Sequence, residues 1–151
     1  MNEIAAPALL GLSTGARASL AVAGIAAGIR RPGDPVGTAL LRHRWGRLAA
    51  VALVAGELVG DKLPQSPSRL EPTGIGVRVA LGALGGAALP VPRQGGRLLG
   101  AVTGAAGAVV GAVAGYRWRM FVAGRGWPDL PAALAEDAVA VTATWYAARR
   151  G

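Results

Sequence analysis

Residues 98–115 read LLGAVTGAAGAVVGAVAG, an apolar, glycine-rich run without a single charge. A run of about 18 such residues is long enough to cross the hydrocarbon core of a bilayer as one helix. Arg97 precedes it, and Tyr116-Arg117-Trp118-Arg119 follow it. Arg, Tyr and Trp are the residues expected where a helix passes from lipid into water. The run therefore predicts an integral membrane protein.

The rest of the chain is built to the same rule. Hydrophobic residues make up 52% and charged residues only 16% of the 151 positions, against about 25% charged in ordinary soluble domains. The length suits a single domain, residues 1–151. Four further apolar segments are recognisable, at 4–29, 48–60, 74–89 and 130–148. Connectors rich in Pro, Gly, Asp and Ser separate them, such as RRPGDP at 30–35, PQSPSRLEP at 64–72 and PVPRQGG at 90–96. The expected fold class is thus all-α, a polytopic helical membrane bundle of about five spans. Pro7, Gly11, Ser13-Thr14-Gly15 and Arg17 interrupt the first segment and predict a broken or re-entrant first helix, which survives at membrane depth only when buried in protein or lining water.

The net charge is +8, and Lys62 is the only lysine. The arginines cluster at the ends of apolar runs rather than along one stripe, which fits loops and snorkelling anchors and speaks against nucleic acid as a partner. The connector 30–47 carries five arginines and one aspartate. It belongs on the cytoplasmic side, and alternation then puts Arg93, Arg97 and Arg149-Arg150 there too. Arg117, Arg119 and Arg125 fall on the far side, against the rule, so either that segment snorkels or the span count is off by one. Glu3 stands where a secretory leader would be positive, so no cleavable leader is expected.

Small residues recur four apart at Gly11/Gly15, Gly24/Gly28, Gly56/Gly60, Gly82/Gly86, Gly100/Gly104 and Gly107/Gly111/Gly115. Each set shares a helix face and predicts close helix–helix contact, within the chain or in a homo-oligomer. Gly15, Arg17, Leu20 and Gly24 recur as Gly76, Arg78, Leu81 and Gly85 at a constant offset. Residues 56–60 find a weaker echo in 107–111. The pattern fits a parallel duplication, or chance in so Gly/Ala-rich a chain.

Ionisable residues inside apolar segments are the functional candidates, because they are expensive there. Glu57 interrupts the second segment, and its insertion cost is about as large as the gain from that segment's six large apolar residues, roughly 3 kcal/mol. It must face protein or water, or be protonated. Asp61-Lys62 before Pro64 suits the boundary. Arg17 and Arg78 are counter-charges or anion sites, and either is a natural partner for Glu57. Asp137 with Glu136 interrupts the last segment. They are expected to pair with Arg125 or Lys62, to join Glu57 in a cation-attracting cavity, or to be first-turn acids favoured by the helix dipole.

Enzymatic signals are weak. There is no cysteine, which removes disulfides, thiolate metal sites and Cys nucleophiles. His43 is the only histidine and sits among arginines. Ser13, Ser19, Ser66 and Ser68 lack a nucleophile context, and no glycine-rich loop leads into Lys-Ser/Thr. No catalytic activity, cofactor or metal is expected.

Glu57…Asp61-Lys62-Leu63-Pro64 closing an apolar helix, the Gly11…Gly15-Ala16-Arg17 opening, the Gly-rich later helix and the late Glu136-Asp137 together resemble one family. It is the group of small bacterial multi-pass membrane proteins known as the domain of unknown function DUF4126. The resemblance covers most of the chain and rests most sharply on the acid–x3–Asp-Lys-x-Pro stretch. It implies an integral protein of the bacterial cytoplasmic membrane and supplies no substrate or catalytic residues. The expected function is passage of a small solute or ion, with Glu57 as proton or cation site and Asp61-Lys62 as a gating pair. The alternative is a membrane scaffold whose glycine faces bind and whose charges are internal staples.

Overall fold

The computed structural model describes residues 4–28, 43–46, 48, 52, 71–89 and 96–150. Among these there is no strand. Five long helices carry the architecture: α1 (Ala5–Ala16), α2 (Ser19–Gly28), α3 (Pro72–Ala88), α4 (Gly96–Gly124) and α5 (Asp129–Arg150).

The helix limits follow from local chemistry. Pro72 opens α3, where its missing N–H costs nothing. Leu89 is extended at its end because Pro90 follows. In α4 nothing breaks the helix at the aromatic–arginine stretch, so it runs on to Gly124 and carries Tyr116, Arg117, Trp118 and Arg119 within it rather than in a loop. The chain turns at Gly126, whose φ of 67° suits glycine. Asp129 supplies the first-turn acid of α5. Glu136 and Asp137 lie two turns further in, so they are not the N-terminal acids of that helix.

The first apolar segment breaks at Arg17-Ala18, the last of its interruptions, and the helix runs unbroken through Ser13–Gly15. The hydroxyls of Ser13 and Thr14 donate to the carbonyls of Leu9 (2.8 Å) and Leu10 (2.7 Å). Such back-bonding loosens a helix, and Arg17 then turns to an extended conformation (φ −140°, ψ 117°). The two halves double back on each other. A side chain built at Gly85 would lie 3.1 Å from the Leu10 side chain and 3.4 Å from Ala21 Cβ. In a continuous helix those two residues would stand about 16 Å apart along the axis. The segment is therefore a helical hairpin with Arg17 at its apex, not a single span.

Helix α4 is the axis of the fold, and its inner face is almost entirely small: Gly96, Gly100, Gly104, Gly107, Ala108, Gly111, Ala112 and Gly115 are buried. A methyl at Gly104 would fall on the Gly82 carbonyl of α3, and one at Gly11 of α1 would fall on the Gly104 carbonyl. Gly100 and Gly86 exclude each other's side chains in the same way. Pairing Gly86 with Gly100 and Gly82 with Gly104 sets α3 antiparallel to α4. Pairing Gly11 with Gly104 and Gly15 with Ala108 sets α1 parallel to it. Helix α5 runs antiparallel to α1, with Ala147 near Leu10 and Ala140 near Ala16.

Apart from Leu10, Leu20, Leu89 and Val122, which are buried, many of the large apolar residues point outward. Leu98 is 72% exposed, Leu84 63%, Val139 65% and Val110 56%. Small residues inside and branched residues outside reverse the pattern of a water-soluble core. Among the described residues, α4 is the one helix both long and apolar enough to cross a membrane.

Candidate functional site

Arg17 and Asp137 meet across the contact of α1 with α5. The guanidinium is aimed at the carboxylate as a two-pronged pair: Nε donates to Oδ1, and Nη2 donates to Oδ2 at 2.6 Å. Arg17 is 8% exposed as a residue, and the Asp137 side chain retains 22%. The fork-to-fork arrangement is the strong form of an Arg–carboxylate contact, fixing orientation as well as charge.

The helix break is what puts the arginine there. Its backbone N–H donates to the Ser13 carbonyl (2.8 Å) and its carbonyl accepts from Leu20 (3.1 Å). The cation therefore sits at the negative C-terminal end of α1. Ser13, Thr14 and Ser19 around the turn are all buried.

Arg78 belongs to the same layer. It is 9% exposed, and its Nη1 donates to the Gly74 carbonyl of its own helix at 3.1 Å. Gly85 of α3 abuts Leu10 of α1, and the two helices are antiparallel. Seven residues from each contact, in the same direction, lie Arg78 and Arg17. At 1.5 Å per residue both stand about 10 Å beyond it, at one depth. The layer also falls at the middle of α4, since Gly15 packs on Ala108, Gly111 and Ala112.

Of the residues singled out in the sequence, Arg17, Arg78 and Asp137 are thus brought to one level. Glu57, Asp61 and Lys62 lie outside the described residues. Asp137 takes Arg17 rather than Arg125. The charges of the far hairpin are otherwise engaged: Arg119 pairs with Asp129 at 3.1 Å, and Arg125 lies over Phe121 at 4.5 Å and Trp127 at 5.8 Å. The repeat that matches Arg17 with Arg78 does not extend to backbone or surroundings. Arg17 terminates a helix and Arg78 is inside one; Gly15 is packed tightly and Gly76 meets nothing within 4 Å. Helices α1 and α3, which carry the two arginines, run opposite ways, so a parallel repeat is not what is seen here.

A second feature escaped the sequence reading. Helices α4 and α5 touch near their shared turn, where Trp118 Nε1 donates to the Ala132 carbonyl at 3.2 Å. Further down they part. The gap is an apolar groove of about 350 Å³, floored by Leu12 and Ala16 and walled by Gly111, Gly115, Val139 and Ala140. Trp118 stands at its outer end, and Glu136 also lines it. The sequence signal was there: Gly111 and Trp118 are seven apart and so share one stripe of α4.

Comparison with family models, with curated proteins and with solved structures returns no match.

Proposed function

We propose that this chain is a multi-pass protein of the bacterial cytoplasmic membrane that passes a small ion or solute, as a homo-oligomer, through a site centred on Arg17 and Asp137. The observation that carries the reading is the placement of a buried acid–base pair at the apex of a helical hairpin, level with the middle of the longest apolar helix. Helices α1 and α2 have 12 and 10 residues, about 18 and 15 Å, too short to cross a core of about 30 Å. Irregular backbone at such depth is tolerated where it is buried in protein or lines a cavity. Transporters use interrupted helices at the midplane in this way.

The pair suggests how the site works. An anionic solute competes with the Asp137 carboxylate for the Arg17 guanidinium, with Arg78 at the same depth. Departure of the solute restores the pair. Glu57 as a further proton or cation site and Asp61-Lys62 as a gating pair remain part of this proposal, as does kinship with the bacterial family that the sequence resembles.

The test is anion flux into vesicles containing the purified chain, driven by a gradient of the anion, for wild type, Asp137→Asn and Arg17→Gln. Flux lost in both variants while they stay folded supports the proposal; flux unchanged in Asp137→Asn sinks it. A scaffold without transport is the competing reading, favoured by the closed geometry of the pair. It expects no flux in any form and weakened assembly in both variants. The cysteine-free chain permits single cysteines at 17, 78 and 137, whose reaction with a membrane-impermeant thiol reagent reports water at that layer.

A further inference from the structure

The groove between α4 and α5 has no part in the proposed passage. It is open at the surface, where Val139 of its wall is exposed. At about 350 Å³ it would hold roughly a dozen groups of the size of a water molecule, the bulk of one fatty-acyl chain. Its walls offer one carboxylate, from Glu136, and otherwise glycine and apolar side chains, Trp118 among them.

Its outer end is chemically different. Beyond Trp118 the contact runs through Phe121 to Arg125, just past the end of α4. Trp118 stacks on Phe121 and Phe121 meets Trp127 edge to face, with ring centroids 6.1 Å apart in each pair, and Arg125 lies over Phe121 and Trp127. Three arginines and one aspartate fall within residues 116–129, a net charge of +2. The spacing also fits a lipid leaflet. Gly111 lies beside the midpoint of α4, and Arg125 is 14 residues further on, about 21 Å along the axis. Half of a bilayer with its headgroups is about 20–22 Å.

From this we infer that the groove binds one anionic phospholipid, its acyl chain between α4 and α5 and its phosphate at Arg125. The inference rests on the membrane reading above. Arg125 sets the orientation: an anionic headgroup is attracted to it, and Glu136, one turn along α5 from the Ala132 contact, repels the headgroup from within the groove. The aromatic residues mark the boundary depth. The lipid fills the gap between the two helices beyond the contact at their turn.

The test is native mass spectrometry of the full chain released from nanodiscs of phosphatidylglycerol and phosphatidylcholine in equal amounts. One retained phosphatidylglycerol per chain is expected, with at least a tenfold preference over phosphatidylcholine. Arg125→Gln should remove the preference. Ala135→Leu, which fills the groove from an exposed position, should remove retention. Equal retention of both lipids, or retention untouched by Ala135→Leu, overturns the proposal. So does competition by millimolar inorganic phosphate that releases the lipid, since the headgroup alone would then be what binds. A shift of Ala135→Leu from oligomer to monomer without loss of lipid assigns the groove to a second copy and overturns it too. Flotation with vesicles separates the two readings. A chain that floats yet retains no lipid defeats this inference alone; one that does not float defeats the membrane reading.

Discussion

Arg17 at the apex of the α1–α2 hairpin holds Asp137 of α5 through both carboxylate oxygens, in a layer where almost every other neighbour is apolar or back-bonded. Two charges removed from water cost several kcal/mol each, and their attraction offsets that only while both are present. Arg17→Met alone should therefore lower stability by about 3–5 kcal/mol, as should Asp137→Leu. The double variant should recover most of the loss, because neither member of the pair is then left without the other. Denaturant titration in micelles, run as a double-mutant cycle, reads this directly. Additive losses would mean that the pair is not coupled in the folded chain.

Gly104 is pinched between α3 and α1, with the carbonyl of Gly82 where its Cβ would go and Gly11 approaching its own carbonyl. No rotamer relieves a clash between backbones, so Gly104→Ala must push helices apart. A loss of at least about 2 kcal/mol is expected, in the range of overpacked cores. Gly76→Ala is the control. Nothing lies within 4 Å of its Cβ position, and alanine is the better helix former by up to about 1 kcal/mol. It should be neutral or stabilising. Thermal melts of the two variants side by side would decide; equal effects would remove the case for backbone contact at Gly104.

The glycine faces of α1, α3 and α4 were legible in the sequence because spacing alone fixes which residues share a helix face, and close approach follows from size; Gly56 and Gly60 lie outside the described residues. The break of the first segment was legible too, through Ser, Thr, Gly and Arg in an apolar run. Which of these interruptions breaks the helix was not. Ser13 and Thr14 satisfy themselves within the helix, so it persists past them and yields only at Arg17, whose partner is 120 residues away. For the same reason the Arg17–Asp137 pair was not foreseen. Charge signs say that an intramembrane acid needs a base, but depth selects which one, and depth depends on the hairpin and on the antiparallel course of α5. The reach of α4 past Arg117 and Arg119 was missed because those residues read equally well as a boundary or as a helix surface.

The indole of Trp118 links α4 to the start of α5 through the Ala132 carbonyl at 3.2 Å. That carbonyl is inside a helix, so losing the indole donor orphans no acceptor. Trp118→Phe keeps the ring contact with Phe121 and removes only the N–H. A cost of about 0.5–1.5 kcal/mol is expected, well below that of Arg17→Met. A loss as large as the ion-pair variant in the same melts would show that the turn, rather than the charged layer, ties α5 to the bundle.

Val110 marks the middle of α4 and is 56% exposed, whereas Arg125 follows the end of that helix some 22 Å away. If α4 crosses the bilayer, these two positions must meet different solvents. A nitroxide attached to cysteine at 110 should collide with oxygen, which concentrates in the hydrocarbon, and be shielded from a water-soluble nickel chelate. At 125 the order should reverse, because the guanidinium and the Trp127 ring belong at headgroup depth. The ratio of the two collision rates in reconstituted vesicles gives depth at each site. Equal access of the nickel chelate at 110 and 125 would place the exposed valine in water. The outward face of α4 would then have to be covered by another protein surface rather than by lipid.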